Sequence, residues 1–152
     1  MSEQPFVPDD FAVPSDLAAE GFRLEPLGPQ HNDADHDAWT SSIEYIRATA
    51  DFQGRGWPPP AGMSPADNLR DLESHASDFE KRAGFTYTVL DDADAVIGCV
   101  YIYPSDSTAH VTEVRSWVRA SRADLDGPLR EAVGGWLASD WPFGEVRYRT
   151  GA

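Results

Sequence analysis

Residues 110–119, HVTEVRSWVR, place a carboxylate, a guanidinium and an indole at alternate positions. In an extended segment that spacing puts Glu113, Arg115, Trp117 and Arg119 on one side and Val114 and Val118 on the other. A carboxylate there can take a proton from a nucleophile, or pair with the guanidinium two residues on. Tyr101 and Tyr103 share a face with Cys99 in the run 95–103, which suits hydroxyls at a cleft above a buried thiol. Glu44, Tyr45 and Arg47 lie on the less apolar flank of a helical segment, and Trp57 stands in a Pro/Gly-rich stretch. Arg119, Arg122 and Arg130 form the basic cluster beside a later helix start.

The stretch 31–37, HNDADHD, invites a metal reading, because Asp33, Asp35, Asp37 and Glu44 fall at positions 1, 3, 5 and 12 of a calcium loop. Position 6 is Ala38 rather than Gly, and helical periodicity begins there. A ligand loop and a helix cannot share one segment, so no metal is expected, and the three aspartates read as a solvated helix start. His75 and His110 have no ligand spacing and are expected at the surface. Cys99, the one cysteine, excludes an internal disulfide and a Cys-based zinc site.

Several elements must position these groups. Residues 1–20 carry Pro5, Pro8 and Pro14 among Phe6, Val7, Phe11 and Val13, the composition of an extended strap that docks apolar residues. Residues 21–27, GFRLEPL, alternate as a first strand. Trp39, Ile43 and Ile46 give residues 33–49 one apolar helical face. Residues 50–63 are a Pro/Gly loop, and Ser64-Pro65 with Asp67 opens a second helix carrying Leu69, Leu72, Ala76 and Phe79. Strands are expected at 85–90, 95–103 and 110–119, with a turn at 91–94. A third helix follows at 125–138, then a strand at 145–149. The order strand, helix, helix, three strands, helix, strand predicts an α/β (α+β) domain over 21–152. Its central sheet is mixed, mainly antiparallel, with helices on both faces.

With 152 residues and 41% hydrophobic composition the chain can bury one core. Its 26 acidic against 12 basic residues, net −14, argue against naked nucleic acid and anionic membrane as partners. No stretch reaches membrane-spanning length, the first residues lack a signal-peptide pattern, and a cytoplasmic protein is expected.

The element order, the hairpin YTVLDDADAVIGCVYIYP and the passage EVRSWVRASRADLDGPL resemble the GNAT (GCN5-related N-acetyltransferase) family over residues 22–148. In that family the strand before the third helix runs into a Q/R-x-x-G-x-G/A pattern whose N–H groups bind the diphosphate of acetyl-CoA. Residues 122–127 match it at Arg122 and Gly127, with Leu125 at the middle glycine and Asp124 and Asp126 between. The resemblance implies acetyl-CoA as co-substrate, bound by Trp117, Val118, Arg119, Arg122, Gly127 and Leu129. It implies Glu113 as general base, Tyr148 as the nearest substitute for the family's general-acid tyrosine, and Glu44, Tyr45, Trp57, Tyr101 and Tyr103 around the acceptor. The acidic surface favours a small or cationic amine. The pattern is expected to stop before the family's closing elements, leaving a strand edge that a second copy can cover. The alternative, favoured by Leu125 and the acidic helix start, is a catalytically inactive GNAT-fold module that binds a ligand or a protein.

Overall fold

The computed structural model describes residues 6–148. Strand β1 (Leu17–Ala19) turns into β2 (Phe22–Pro26). Helices α1 (Asn32–Thr40), α2 (Ile43–Ala48) and α3 (Pro65–Glu80) follow. Then come β3 (Phe85–Asp91), β4 (Val96–Pro104), β5 (Val111–Val118), α4 (Asp126–Asp140) and β6 (Glu145–Arg147). The six strands form one sheet in sequence order. Every neighbouring pair is antiparallel except β5 and β6, which α4 joins as a parallel crossover.

Alternation divides the core in two. On one face Leu24, Tyr87, Val100, Ile102, Val114 and Val118 pack beneath Leu129, Val133, Trp136 and Leu137 of α4. Val7 of the N-terminal segment, 1% exposed, joins this layer. Arg82 donates to the Pro8 and Phe11 carbonyls, and the Tyr87 hydroxyl to that of Pro14, which holds the strap down. On the other face Cys99 and Trp117 pack beneath Ala38 and Trp39 of α1, Ile46 of α2 and Leu72 of α3.

The single helix expected over 33–49 is two. Thr40 and Ser41 turn their hydroxyls back onto the His36 and Ala38 carbonyls, and Ser42 leaves helical geometry at φ −135°. The Thr40 and Ser41 hydroxyls thus compete for the carbonyls at the end of α1, while Ser42 Oγ accepts the Ala120 N–H beyond β5. Strand β1 inside the strap was not expected; Gly21, at φ +90°, supplies the turn that folds it onto β2. Ser64 caps α3 as its sequence predicts, accepting from the Asp67 N–H at 3.1 Å.

The β3–β4 register slips between Val89 and Leu90, leaving Ile97 as the extra residue. Beside it, a Cβ on Gly98 would collide with the Trp117 carbonyl oxygen. Only glycine lets β4 approach the end of β5 that closely.

Candidate functional site

Strand β5 presents its two edges differently. The Arg119 N–H bonds to the Ile97 carbonyl at 2.8 Å, so the odd-numbered residues of β5 direct their backbone groups to β4. Ser116 and Val118 therefore direct theirs to the opposite edge. Pairing with β6 runs from Val111–Glu145 to Glu113–Arg147, short of those two residues. At Ser116 side chains take over. The Asp51 carboxylate accepts the Ser116 N–H at 3.1 Å, and Arg130 Nη2 reaches the Ser116 carbonyl at 3.5 Å. Asp51 and Arg130 pair at 2.9 Å with side chains 6% and 5% exposed. Burial pulls the Arg130 pKa down, but Asp51 and Asp126 outweigh it and leave it raised. The Tyr148 hydroxyl meets Ser116 Oγ at 2.7 Å beneath the Arg130 guanidinium. Burial pushes the Tyr148 phenol up, which keeps it protonated.

The turn between β5 and α4 is a tight helical turn over Ala120–Leu125. Asp126 does not face outward from the helix start; its carboxylate turns back to Arg130 Nε at 3.0 Å. No atom lies within 4 Å of where a Cβ on Gly127 would stand, so the backbone there is open to a ligand. Arg119 pairs with Asp37 at 3.2 Å, and Arg122 with Asp91 at 3.0 Å and Asp124 at 3.7 Å. A diphosphate at this turn would meet the open space beside Gly127 and two arginines that must exchange carboxylates for it. Leu129 lies in the core beneath, 0% exposed.

A cavity of about 190 Å³ lies under α1 and α3 on the opposite face of the sheet. Phe52, Trp57, His75 and Tyr101 supply rings to it, with Leu27 and Leu72. Asp35, Asn68, Asp71 and Arg115 supply the polar groups. Trp57 packs against Trp39, Phe52 and Trp117 at 5.3, 5.5 and 6.1 Å. Tyr101 accepts the Trp117 indole N–H at 2.9 Å. Asp35 is 4% exposed, and its Oδ2 accepts from Asn68 at 3.1 Å. Asn68 is itself held by the Trp39 indole N–H at 2.9 Å. Burial raises the Asp35 pKa to about 6.

Three of the expected acceptor residues meet here or at its rim: Trp57 and Tyr101 line the cavity, and Tyr103 lines the adjoining hollow with Glu113 and Arg115. The Tyr103 hydroxyl is 2.9 Å from His75 Nδ1 and donates to Asp78. Glu113 pairs with Arg115 at 3.3 Å on the face that also carries Trp117. Two expected residues stand elsewhere. Glu44 is exposed on α2, and Tyr45 is half-buried near Asp126 and Arg130. Their neighbour Arg47 ties down the loop through the Pro58 carbonyl at 2.7 Å. The sequence reading missed Asp35 as a buried group, His75 as a wall of the cavity, and Asp51. His75 is half-buried rather than a surface residue, and burial lowers its pKa, leaving the ring uncharged at neutral pH.

No protein-family model matches the sequence, and no curated protein matches it. Solved structures do. RimL, a ribosomal L7/L12 alpha-N-protein acetyltransferase in complex with coenzyme A, superposes with a TM-score of 0.65 at 11% identity, covering 80% of this chain and 64% of that one. A GCN5-related N-acetyltransferase from Brucella melitensis gives 0.64 at 20% identity, covering 88% and 58%. The microcin C7 self-immunity acetyltransferase MccE, in complex with acetyl-CoA and AMP, gives 0.62 at 13% identity, covering 79% and 62%. The chain thus spans 58% to 64% of the length of these proteins. Its fold is the GNAT acyl-CoA N-acyltransferase fold.

Proposed function

We propose that this protein is an N-acyltransferase that moves an acetyl or other acyl group from acyl-CoA to an amine. The observation that carries the reading is the placement of an acidic, ring-lined cavity against the Glu113–Trp117 face of β5. The strand's free edge at Val118 and the open start of α4 lie at its end. Acyl-CoA would lie along that edge with its diphosphate at residues 119–127, near Arg119, Arg122 and Gly127. The Val118 N–H would donate to the thioester carbonyl, where negative charge develops. The acceptor would enter from the cavity side, past Trp57, Tyr101 and Tyr103.

The chemistry then asks little of the protein. The amine must lose a proton, attack the carbonyl carbon and expel the CoA thiolate, which takes up a proton as it leaves. Glu113 would accept the first proton, directly or through water. Tyr148, protonated and hydrogen-bonded to Ser116, would supply the second. The single buried cysteine, Cys99, and the net charge of −14 suit a cytoplasmic setting.

A binding-only reading rests on one observation, the Asp51–Arg130 pair seated on Ser116. If that pair never yields, the edge is closed to pantetheine and the fold serves another purpose. Release of free CoA thiol from acetyl-CoA in the presence of a panel of primary amines separates the two. Amine-dependent thiol release supports transfer, and its absence at millimolar acetyl-CoA and amine removes it.

A further inference from the structure

Asp35 is out of place for a residue whose only task is to begin a helix. It sits on the same stripe of α1 as Ala38 and Trp39, both 0% exposed, and is carried into the interior with them. Asn68 satisfies Oδ2, while among the described residues none donates a hydrogen bond to Oδ1. A carboxylate is an acceptor with room for several donors, and Asp35 lines the cavity, where a ligand's donor can meet it. The cation among the cavity's lining residues, Arg115, is paired with Glu113 at 3.3 Å rather than with Asp35. His31 and His36 act on Asp35 electrostatically from the preceding turn and from α1, but neither lines the cavity. Asp71 faces it from α3, adding negative charge. His75 is uncharged, Tyr101 and Cys99 of β4 stay protonated under burial, and Arg115 of β5 is engaged by Glu113.

The remaining walls are aromatic, and ring faces attract cations. A volume of about 190 Å³ is enough for one ring or a short alkyl body; a dry cavity of comparable size holds benzene.

We infer that this cavity is the seat of a small primary ammonium with an uncharged aryl or alkyl body, and that Asp35 is its counter-ion and the residue that sets its selectivity. The inference rests on the acyltransferase reading only for calling this ligand the acceptor; occupancy of the cavity does not depend on acyl-CoA. An anionic amine such as an acidic amino acid is excluded by Asp35 and Asp71 together. A neutral alcohol of the same shape fills the rings and offers Oδ1 one donor but brings no positive charge.

Calorimetric titration of the full chain with benzylamine, and with benzyl alcohol as its uncharged counterpart, tests this at pH 7.5. Benzylammonium is expected to bind at least about tenfold more tightly than the alcohol. Asp35→Asn, which keeps the shape and the Asn68 contact, is expected to bring the two within about twofold. Asp71→Asn, at the rim, should reduce the preference by less. Acetyl-CoA binding is measured on the same samples. An unchanged acetyl-CoA response with lost ammonium selectivity assigns Asp35 to the acceptor side. Equal binding of amine and alcohol by the wild type, no binding of the amine, or a preference that survives in Asp35→Asn overturns the inference. If acetyl-CoA fails to bind while ammonium selectivity holds, the acyltransferase reading falls and the cation site stands.

Discussion

Asp35, 4% exposed, and Asp51, whose side chain is 6% exposed, both hold their carboxylates away from water, yet the protein treats them oppositely. Asp51 meets a buried guanidinium at 2.9 Å and a backbone N–H at 3.1 Å, and Arg130 in turn gathers Asp126 and the Ser116 carbonyl. In that cluster each charged group at the β5 edge has a partner of opposite sign, one guanidinium serving two carboxylates. Asp35 has one amide and a cavity. The first region is held by the protein's own groups and opens to a ligand only by exchanging partners. The second is left incomplete, and its cost in stability marks a place kept for something that binds. One loop links the two, since residues 50–57 provide Asp51 to the edge and Phe52 and Trp57 to the cavity.

The largest expected effect breaks the matched region. Arg130→Met leaves Asp51 buried without its counter-charge and should lower unfolding free energy by about 3–5 kcal/mol in denaturant titration. The double variant Asp51→Asn, Arg130→Met should recover a substantial part. A single variant as stable as the wild type would mean that the cluster is not a closed electrostatic unit.

Asp35→Asn should act in the other direction. Burial raises the Asp35 pKa to about 6, above its unfolded value of 3.8. The folded state therefore binds the proton more tightly. The stability this gives is fully present below 3.8 and is lost as pH rises through 6. Wild-type stability at neutral pH is lower on that account by something on the order of 3 kcal/mol. Asp35→Asn should be more stable than the wild type at pH 7.5, with the difference vanishing near pH 3.5, by thermal melts across that range. His31, His36 and Asp71, which act on Asp35 electrostatically, are present in both proteins, so the difference curve isolates Asp35. A destabilised Asn variant at pH 7.5 would show that the carboxylate is paid for within the fold.

Smaller effects sharpen the chemistry. Glu113→Gln should slow amine acetylation by about tenfold or more while leaving acetyl-CoA affinity within about twofold. Its stability should change by under about 1 kcal/mol, because the Arg115 pair is partly solvated. An unchanged rate would remove Glu113 from the base role. Tyr148→Phe loses a hydrogen bond to Ser116 Oγ, a change of about 1 kcal/mol in denaturant titration. If Tyr148 supplies the leaving proton, the same variant slows thiol release as well.

The strands from β2 onward, the α3 cap and the two faces of β5 were legible because each follows from local spacing. Alternation places Val114 and Val118 under α4 and Trp117 under α1, and Ser64-Pro65 needs no distant partner to start a helix. The break between α1 and α2 was written in Thr40-Ser41-Ser42 but masked by the apolar period of Trp39, Ile43 and Ile46. Asp35 carried a usable signal: it precedes Ala38 and Trp39 by three and four residues, on the buried stripe. Its neighbours Asp33 and Asp37, both exposed, made the group look uniformly solvated. Asp51 carried none. It lies in a Pro/Gly loop, and its partners Ser116 and Arg130 are far along the chain, where only tertiary folding brings them.

The central claim is that acyl-CoA binds along the β5 edge, and titration of acetyl-CoA followed by thermal unfolding tests it most directly. A saturable rise in melting temperature is predicted, corresponding to about 2.7 kcal/mol at a hundredfold excess over the dissociation constant. No shift at millimolar acetyl-CoA, in the wild type and in the Asp51→Asn variant with its latch loosened, would contradict the account.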